Sequence, residues 1–255
     1  MNNIGIISTW PRVHGFAIHT RASSDSGSNA GHVVFVHGLG VSADYLLPTL
    51  MQLASDYRVW APELPGFGQS DKPHDALDIP ELADVLAEWT KAVGIPGAVF
   101  LGNSVGCQVI VELAVRYPTL VKAAILVGPT VDNSARTTIQ QLWRGLLDLI
   151  HETWSLWRIL ARDYLRTGTR RMFRTFQFAL NDGVTEKCSQ VAAPTLLIRG
   201  SLDTIAPTRW LEELAALIPG ARLVVIPGGT HATNYSTPDE LVHATRAFLA
   251  NTSER

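Results

Sequence analysis

The chain is poor in cysteine and nearly balanced in charge. Its two cysteines, Cys107 and Cys188, are too few for a disulfide framework, and no cysteine or histidine spacing is typical of a zinc site. We therefore expect no bound metal. The formal net charge of −2 gives no basic footprint of the kind that binds nucleic acid. A nucleic-acid partner is not expected either.

Long apolar runs are also lacking. No stretch approaches the roughly 20 apolar residues that a membrane span needs. The segment Met1–Trp10 has neither the basic start nor the apolar centre of a secretory signal. We therefore expect a soluble, cytoplasmic protein without a membrane partner, either a monomer or a homodimer. A chain of 255 residues can form one domain with a full core, or one domain with a sizeable insertion.

Short β-rich runs alternate with helical patterns along most of the sequence. The strand patterns lie at His32–His37, Tyr57–Ala61, Ala98–Leu101, Ala123–Val127, Thr195–Arg199 and Arg222–Ile226, with a further early strand expected within Val13–Thr20, before a Ser/Gly-rich loop at 23–31. The helical patterns lie at Asp44–Ser55, Pro80–Val93, Val105–Tyr117, Thr208–Leu217 and Pro238–Ala250. This alternation predicts an α/β fold with a mostly parallel sheet, whose ligands bind beyond the C-terminal ends of the strands.

One segment, residues 131–190, interrupts the alternation. Its apolar residues recur at helical spacing, and it holds three of the seven tryptophans, Trp143 among them. It carries eight arginines and one lysine against six acidic residues, so its net charge is +3. We interpret it as a helical cap inserted between two parts of one core, residues 1–130 and 191–255.

A Gly-x-Ser-x-Gly sequence at residues 102–106 is the most informative motif. It follows an apolar strand pattern and opens a helical one. A serine on such a tight turn has an exposed hydroxyl, and the flanking glycines let the turn close. Ser104 is therefore the candidate nucleophile.

A serine nucleophile needs a base, and the base needs an orienting acid. Asp203 follows the strand pattern Thr195–Arg199, and His231 follows Arg222–Ile226, so both lie at C-terminal strand ends. Ser104, Asp203 and His231 are therefore the candidate catalytic triad. Asp132 is the alternative acid, because it follows an earlier strand in the same way.

The oxyanion of an acyl-transfer intermediate needs hydrogen-bond donors as well. The His-Gly-Leu-Gly sequence at 37–40 leaves an early strand, so it can present the Leu39 N–H beside the Val105 N–H that follows Ser104. A Gly-x-Gly-x-x-Ala match at 38–43 is similar to a dinucleotide fingerprint. A cofactor, however, would leave the placement of the three triad residues as coincidence, so we expect no cofactor.

The sequence resembles the serine-nucleophile branch of the α/β-hydrolase superfamily from about residue 32 to residue 249. The supporting strings are HGLG at 37, PELPGFGQS at 62, GNSVG at 102, GSLDTIAP at 200 and GGTH at 228. This resemblance implies a core sheet of about eight strands flanked by helices, with a helical cap between strands six and seven. Family members often carry aspartate where this chain has Glu63, for which we expect a structural role.

The resemblance implies a serine hydrolase of the carboxylesterase type, acting on a small ester or lactone through an acyl-enzyme. Carbon–carbon bond hydrolysis of a ring-cleavage dienoate acid is the alternative, because Asn103 and a basic cap are similar to those enzymes. Ala232 departs from their pattern, which has an aromatic residue after the histidine. A ligand sensor of the same fold, with slow or no turnover, is the third possibility.

Cap residues are the remaining candidates for substrate binding. One arginine among Arg170, Arg171 and Arg174 could point inward and hold a substrate carboxylate, or all three could belong to solvated helix faces. Trp143 could line an apolar pocket together with Asn103, or serve only the packing of the cap.

Overall fold

The computed structural model describes residues 5–24, 31–135 and 137–252, and its centre is an eight-stranded sheet. The strands of the sheet are β1 (Ile6–Thr9), β4 (Thr20–Ser23), β5 (His32–Val36), β6 (Arg58–Pro62), β7 (Ala98–Asn103), β8 (Val121–Val127), β9 (Thr195–Gly200) and β10 (Arg222–Ile226), and a separate hairpin pairs β2 (Arg12–Val13) with β3 (Phe16–Ala17). The spatial order is β1-β4-β6-β5-β7-β8-β9-β10. The pairs β1–β4 and β4–β6 are antiparallel and the other pairs of this sheet are parallel, which confirms the predicted fold class.

Helices cover both faces of the sheet, which is why the central strands are continuous apolar runs. One face packs against α1 (Leu47–Leu53) and α10 (Pro238–Thr252). The opposite face packs against α2 (Ile79–Ala92), α3 (Val105–Arg116) and α8 (Thr208–Leu217). The four residues Val33, Val34, Phe35 and Val36 of β5 alternate between these two apolar layers and are fully buried.

The structure adds detail to two local expectations from the sequence. The strand expected within 13–20 is the short β3, and His14 and Gly15, which both take positive φ (49° and 83°), turn the chain between β2 and β3. The helix expected from Asp44 starts as a 3-10 turn, and α1 begins at Leu47 with Pro48 in its first turn, where proline is favoured. Residues 25–30 of the Ser/Gly-rich loop lie outside the described residues.

The cap follows β8, the sixth strand of the sheet along the chain, as the resemblance implied. It consists of α4 (Thr138–Leu149), α5 (Trp154–Thr167), α6 (Thr169–Asn181) and α7 (Val184–Cys188). Thr137 and Thr153 cap α4 and α5 by accepting hydrogen bonds from backbone N–H groups of the first turn. Within the residues described, no helix combines the length and apolarity needed to cross a bilayer.

Buried polar contacts fix the cap over the loop that follows β5. The Asp163 carboxylate, fully buried on α5, accepts hydrogen bonds from the N–H and the hydroxyl of Ser42, at 2.8 and 2.6 Å. The Thr167 hydroxyl donates to the carbonyl of Gly40 at 3.1 Å. Because a buried carboxylate is stable only with such partners, α5 is held against this loop.

Candidate active site

Ser104 lies in the turn between β7 and α3 with φ 57° and ψ −123°. Residues other than glycine rarely adopt positive φ, and such strain costs on the order of 1–3 kcal/mol. The Ser104 N–H donates to the Val127 carbonyl at 3.0 Å, which fixes the turn against the end of β8. Ser104 is partly exposed, whereas its neighbours Asn103 and Val105 are buried. The turn therefore presents this serine at the C-terminal edge of the sheet.

Two glycines leave room for the turn. A Cβ on Gly106 would lie 2.4 Å from the Val36 carbonyl oxygen, and a Cβ on Gly102 would lie 2.9 Å from the carbonyl carbon of Gly106. Both distances are shorter than van der Waals contact. The close approach of α3 to the ends of β5 and β7 therefore depends on the absence of side chains at these positions.

Asp203 and His231 meet at the ends of β9 and β10. His231 Nδ1 lies 3.0 Å from Asp203 Oδ2, and both residues are buried. The other carboxylate oxygen, Oδ1, accepts the N–H groups of Ile205 and Ala206 at 2.9 Å each. This carboxylate is therefore fixed in orientation, and in the neutral ring a proton on Nδ1 leaves Nε2 as a proton acceptor.

Gly128 connects this pair to the turn that carries Ser104. It directly follows Val127, the residue that binds the Ser104 N–H. A Cβ on Gly128 would lie 2.9 Å from both Asp203 Oδ2 and His231 Nδ1. The amide of Asn103 adds a second connection, because its Nδ2 donates to the His231 carbonyl at 2.9 Å. Residues that follow the ends of β7, β8, β9 and β10 are thus joined by these short contacts.

Asp132, the alternative acid, belongs to a different network. Its buried carboxylate is bound by Arg144 of α4 at 2.8 Å, by Arg209 of α8 at 2.9 Å and by the Ser134 hydroxyl. Burial raises its pKa, but these hydrogen bonds outweigh burial and hold the pKa below its usual range. The geometry brings Asp203, rather than Asp132, to His231.

Side chains beneath the loop after β5 hold it against Ser104. His37 Nδ1 donates to the Gly38 carbonyl at 2.8 Å, while Nε2 accepts the Leu64 N–H at 2.9 Å. The Tyr45 hydroxyl accepts the Gly38 N–H and donates to the Asn103 side chain. A Cβ on Gly38 would lie 3.3 Å from Ser104 Cβ, so the loop that carries Leu39 lies directly beside the turn that carries Val105.

Glu63 holds the end of the loop that follows β5 by buried hydrogen bonds. Its carboxylate lies 2.9 Å from His19 Nδ1 and accepts the N–H groups of Ala43 and Gln69. Burial raises its pKa, but the hydrogen bonds from these three residues outweigh burial and lower the pKa overall. The glutamate that departs from the family pattern therefore fills a buried structural position.

Two acidic residues of the cap, Asp148 and Glu152, also reach this site, and the sequence analysis missed both. Asp148 Oδ1 accepts the N–H of Thr204, which follows Asp203, at 3.4 Å. Glu152 Oε1 accepts the N–H of Ala232, which follows His231, at 3.2 Å. The sequence carries only a weak signal for them, namely a spacing of seven residues between Asp148 and Gln141 on the buried side of α4.

These carboxyl groups change the electrostatics of His231. Burial lowers the pKa of His231, but the charge and hydrogen bond of Asp203, followed by the charges of Asp148 and Glu152, raise it to about 9. Burial raises the pKa of Asp148 to about 7. The positive charge of His231 lowers this pKa, and the negative charges of Asp203 and Glu152 raise it. Burial likewise raises the pKa of Glu152. Both cap carboxyls therefore keep a proton to higher pH than an exposed carboxyl does.

Tyr164 and Met172, from α5 and α6, cover the loop after β5. A Cβ on Gly40 would overlap the Met172 sulfur and would lie 3.1 Å from the Tyr164 ring. Burial and the charges of Asp163, Asp148 and Glu152 raise the pKa of the Tyr164 phenol to about 12. Tyr164 therefore stays neutral and lies within the electrostatic reach of the two cap carboxyls.

The remaining sequence candidates are exposed residues of the cap. Arg170 and Arg174 are exposed and, with Lys72 and Arg171, line a cleft of about 590 Å³ between α6 and the loop at 72–76. Trp143 is 61% exposed on α4. The geometry therefore groups Asn103 with Ser104 and His231, but it places the two arginines in a separate cleft. In the described residues, no group of three metal-binding side chains comes together.

Replacement of Gly106 by alanine tests the close approach at the serine turn. We expect Gly106→Ala to lower the melting temperature by 5 °C or more, about 2 kcal/mol, because the new methyl group collides with the backbone of β5. Gly145→Ala in α4 is the matched control, since a Cβ there has open space and alanine favours the helix by about 1 kcal/mol. Equal melting temperatures of the two variants would contradict this packing.

Comparisons with known proteins agree with this architecture. Residues 33–244 match the family model described as "Alpha/beta hydrolase family". The chain is 24% identical to pyrrolizixenacetamide deacetylase of Xenorhabdus hominickii, covering 85% of this chain and 90% of that protein, and 27% identical to pimeloyl-[acyl-carrier protein] methyl ester esterase of Edwardsiella ictaluri, covering 87% and 94%. The crystal structure of the enol-lactonase from Burkholderia xenovorans LB400 superposes with a TM-score of 0.81 at 21% identity, covering 95% of this chain and 100% of that one. The chain belongs to the alpha/beta hydrolase family.

Proposed function

We propose that the protein is a serine hydrolase that cleaves a carboxylic ester or lactone through an acyl-enzyme. The observation that carries the proposal is the Asp203–His231 hydrogen bond of 3.0 Å beside the strained turn of Ser104. The Asn103 side chain and Gly128 tie that turn to the His231 loop. A nucleophile, a base and an acid that orients the base are the groups that activate a serine for this chemistry.

The reaction proceeds in two half-reactions. His231 Nε2 takes the Ser104 proton as the serine oxygen attacks the substrate carbonyl carbon, and the resulting tetrahedral intermediate expels the alcohol, which receives that proton. Water then attacks the acyl-enzyme, with His231 again as the base, and the carboxylic acid leaves as Ser104 is restored. Asp203 holds Nδ1 protonated and stabilises the imidazolium form that each attack produces.

The oxyanion of each tetrahedral intermediate is held by the N–H groups of Leu39 and Val105. Two converging amides stabilise such an oxyanion by on the order of 3 kcal/mol each. The contact between Gly38 and Ser104, and the bracing of Gly38 by Tyr45 and His37, support this role because they fix the position of the Leu39 amide.

A neutral ester or lactone is the substrate class that the site favours. Relatives and structural neighbours of the chain include proteins named as an esterase, a deacetylase and an enol-lactonase. Asp148 and Glu152 lie next to the triad loops and repel a substrate carboxylate whenever they are ionised. Carbon–carbon hydrolysis of a dienoate acid would place a carboxylate in this environment, so we propose ester cleavage instead.

Removal of the Ser104 hydroxyl tests the nucleophile. We expect Ser104→Ala to lower kcat/KM for aryl esters at least about a thousandfold, because both half-reactions pass through this oxygen. It should also abolish labelling by a fluorophosphonate, whereas Ser189→Ala, a change of an exposed serine in the cap, should alter neither. Near-normal turnover by Ser104→Ala would reject the proposal.

A panel of esters and lactones separates an enzyme from a ligand sensor. If the wild-type protein is labelled by the fluorophosphonate but turns over none of the esters and lactones, a sensor would be favoured.

A matched pair of acid variants tests the choice between the two aspartates. We expect Asp203→Asn to lower kcat about ten-thousandfold, because the wrong histidine tautomer forms, with little loss of stability. Asp132→Asn should instead lower the melting temperature by about 5 °C, roughly 2 kcal/mol, because two arginines lose a buried partner. The reverse pattern, with kcat lost mainly in Asp132→Asn, would assign the catalytic role to Asp132.

The pH dependence of kcat/KM tests the influence of the cap carboxyls. His231 must be neutral to accept a proton, so activity should rise with pH through a midpoint at about 9, above the unperturbed value of ~6.5. In the double variant Asp148→Asn with Glu152→Gln, the midpoint should move down toward ~6.5 because two negative charges near the ring are lost. Glu88→Gln on α2 is the control and should leave the midpoint unchanged. An identical midpoint in the wild type and the double variant would exclude this coupling.

A further inference from the structure

The outer face of α4 is strongly apolar although it is exposed. Five residues at helical spacing are between 55% and 80% exposed: Ile139, Leu142, Trp143, Leu146 and Ile150. Soluble monomers rarely expose a contiguous apolar surface of this size, and those that do usually bind something with it. We call this surface, together with the exposed tryptophans of α5 described below, the cap face.

The cap face points away from the catalytic centre. The buried side of α4 carries Gln141 and Asp148, and Asp148 contacts the Asp203 loop. A helix turns by 100° per residue, so Ile139, Trp143 and Ile150 lie on the opposite side of the cylinder from Gln141 and Asp148. The apolar residues therefore do not line the space above Ser104.

The start of α5 extends this surface. Trp157 Nε1 donates to the Leu149 carbonyl at 3.2 Å, which joins the first turn of α5 to the last turn of α4. Trp154, one turn earlier, is 86% exposed. Tryptophan side chains combine a large apolar ring with a polar N–H group, and they are enriched where proteins meet the interface of a membrane.

In α4 to α6 of the cap, acidic side chains face inward and the exposed charged side chains are basic. The acidic residues of the described segment 137–181 are turned inward: Asp148 and Asp163 are buried and Glu152 is half-buried. Exposed side chains of the same segment include four arginines, Arg158, Arg166, Arg170 and Arg174, and no acidic residue. The exposed surface of α4 to α6 is thus apolar and aromatic with positive exposed charges, whereas the exposed acid Glu186 of the cap lies on α7.

We propose that the cap face binds the surface of an anionic phospholipid membrane. Apolar and tryptophan side chains can enter the boundary between headgroups and acyl chains, and each nearby arginine adds electrostatic attraction to an anionic leaflet. No membrane partner is predicted from the sequence, because it has no apolar run long enough to span a bilayer. A peripheral contact of this kind needs no such segment, and it does not depend on the proposed catalytic function.

A second copy of the chain fits this surface less well. In a two-fold dimer the same patch meets itself, so Arg158, one turn along α5 from the exposed Trp154, would be brought toward the positive charge of the other copy. Like charges brought together across an interface oppose association. An anionic lipid surface complements both the apolar and the positively charged parts of the cap face.

Co-sedimentation with vesicles tests the proposal. We expect the wild-type protein to bind phosphatidylglycerol vesicles at least tenfold more tightly than phosphatidylcholine vesicles, and this preference should weaken at 0.5 M salt because the charges are screened. The double variant Ile150→Ser with Trp154→Ser should bind phosphatidylglycerol at least tenfold more weakly. Met51→Ser, a change of an exposed apolar residue on α1, is the matched control and should bind like the wild type.

A second variant separates loss of binding from loss of folding. Arg158→Glu with Arg166→Glu changes only exposed side chains of α5, and it should remove the preference for phosphatidylglycerol while leaving the melting temperature unchanged. Wild-type protein that binds neither kind of vesicle would overturn the proposal. So would sedimentation equilibrium showing a wild-type dimer that Ile150→Ser with Trp154→Ser dissociates, because the cap face would then be an interface between copies.

Discussion

The geometry of this protein depends on how closely its strand ends can approach one another. Gly128 lies where they meet, against the carboxylate of Asp203 and the ring of His231, and directly after the residue that anchors the Ser104 turn. A side chain at this position would push the acid–base pair away from the serine. The parallel sheet supplies the common edge, and a few positions without side chains let β7, β8, β9 and β10 share it.

The cap contacts this edge of the sheet through α4, which has a buried polar side and an exposed apolar side. The buried side of α4 brings Asp148, and the turn after α4 brings Glu152, to backbone groups next to Asp203 and His231. The outer side carries the apolar cap face. A movement of α4 would therefore change both the charge around the histidine and the surface presented outside, so the position of the cap and the basicity of His231 are physically linked.

Much of this arrangement could be predicted from the sequence, because it follows from local patterns. The strand-turn-helix around Ser104, the positions of Asp203 and His231 after successive strands, and the insertion after the sixth strand are all properties of short segments. From the sequence, Asp203 is the preferred acid and Asp132 stays an alternative, since both follow strands. The two aspartates differ in their tertiary contacts, because Arg144 and Arg209 come from distant segments of the chain to bind Asp132.

The cap was harder to predict for the same reason. Helical spacing identifies which side of a helix is apolar, but not whether that side faces the core or the outside. The arginines considered for substrate binding are exposed in a separate cleft, and the acidic residues that reach the site gave almost no signal. A buried carboxyl becomes recognisable only when its partners, here the N–H groups of Thr204 and Ala232, are known.

The central claim is that an ester passes its acyl group to Ser104 through His231. The most direct measurement is to quench the reaction with an aryl ester within milliseconds, digest the protein and locate the acyl group by mass spectrometry. We expect a burst of alcohol equal to the enzyme concentration and an acyl group on the peptide that contains Ser104. Steady hydrolysis with the acyl group on another residue would contradict it.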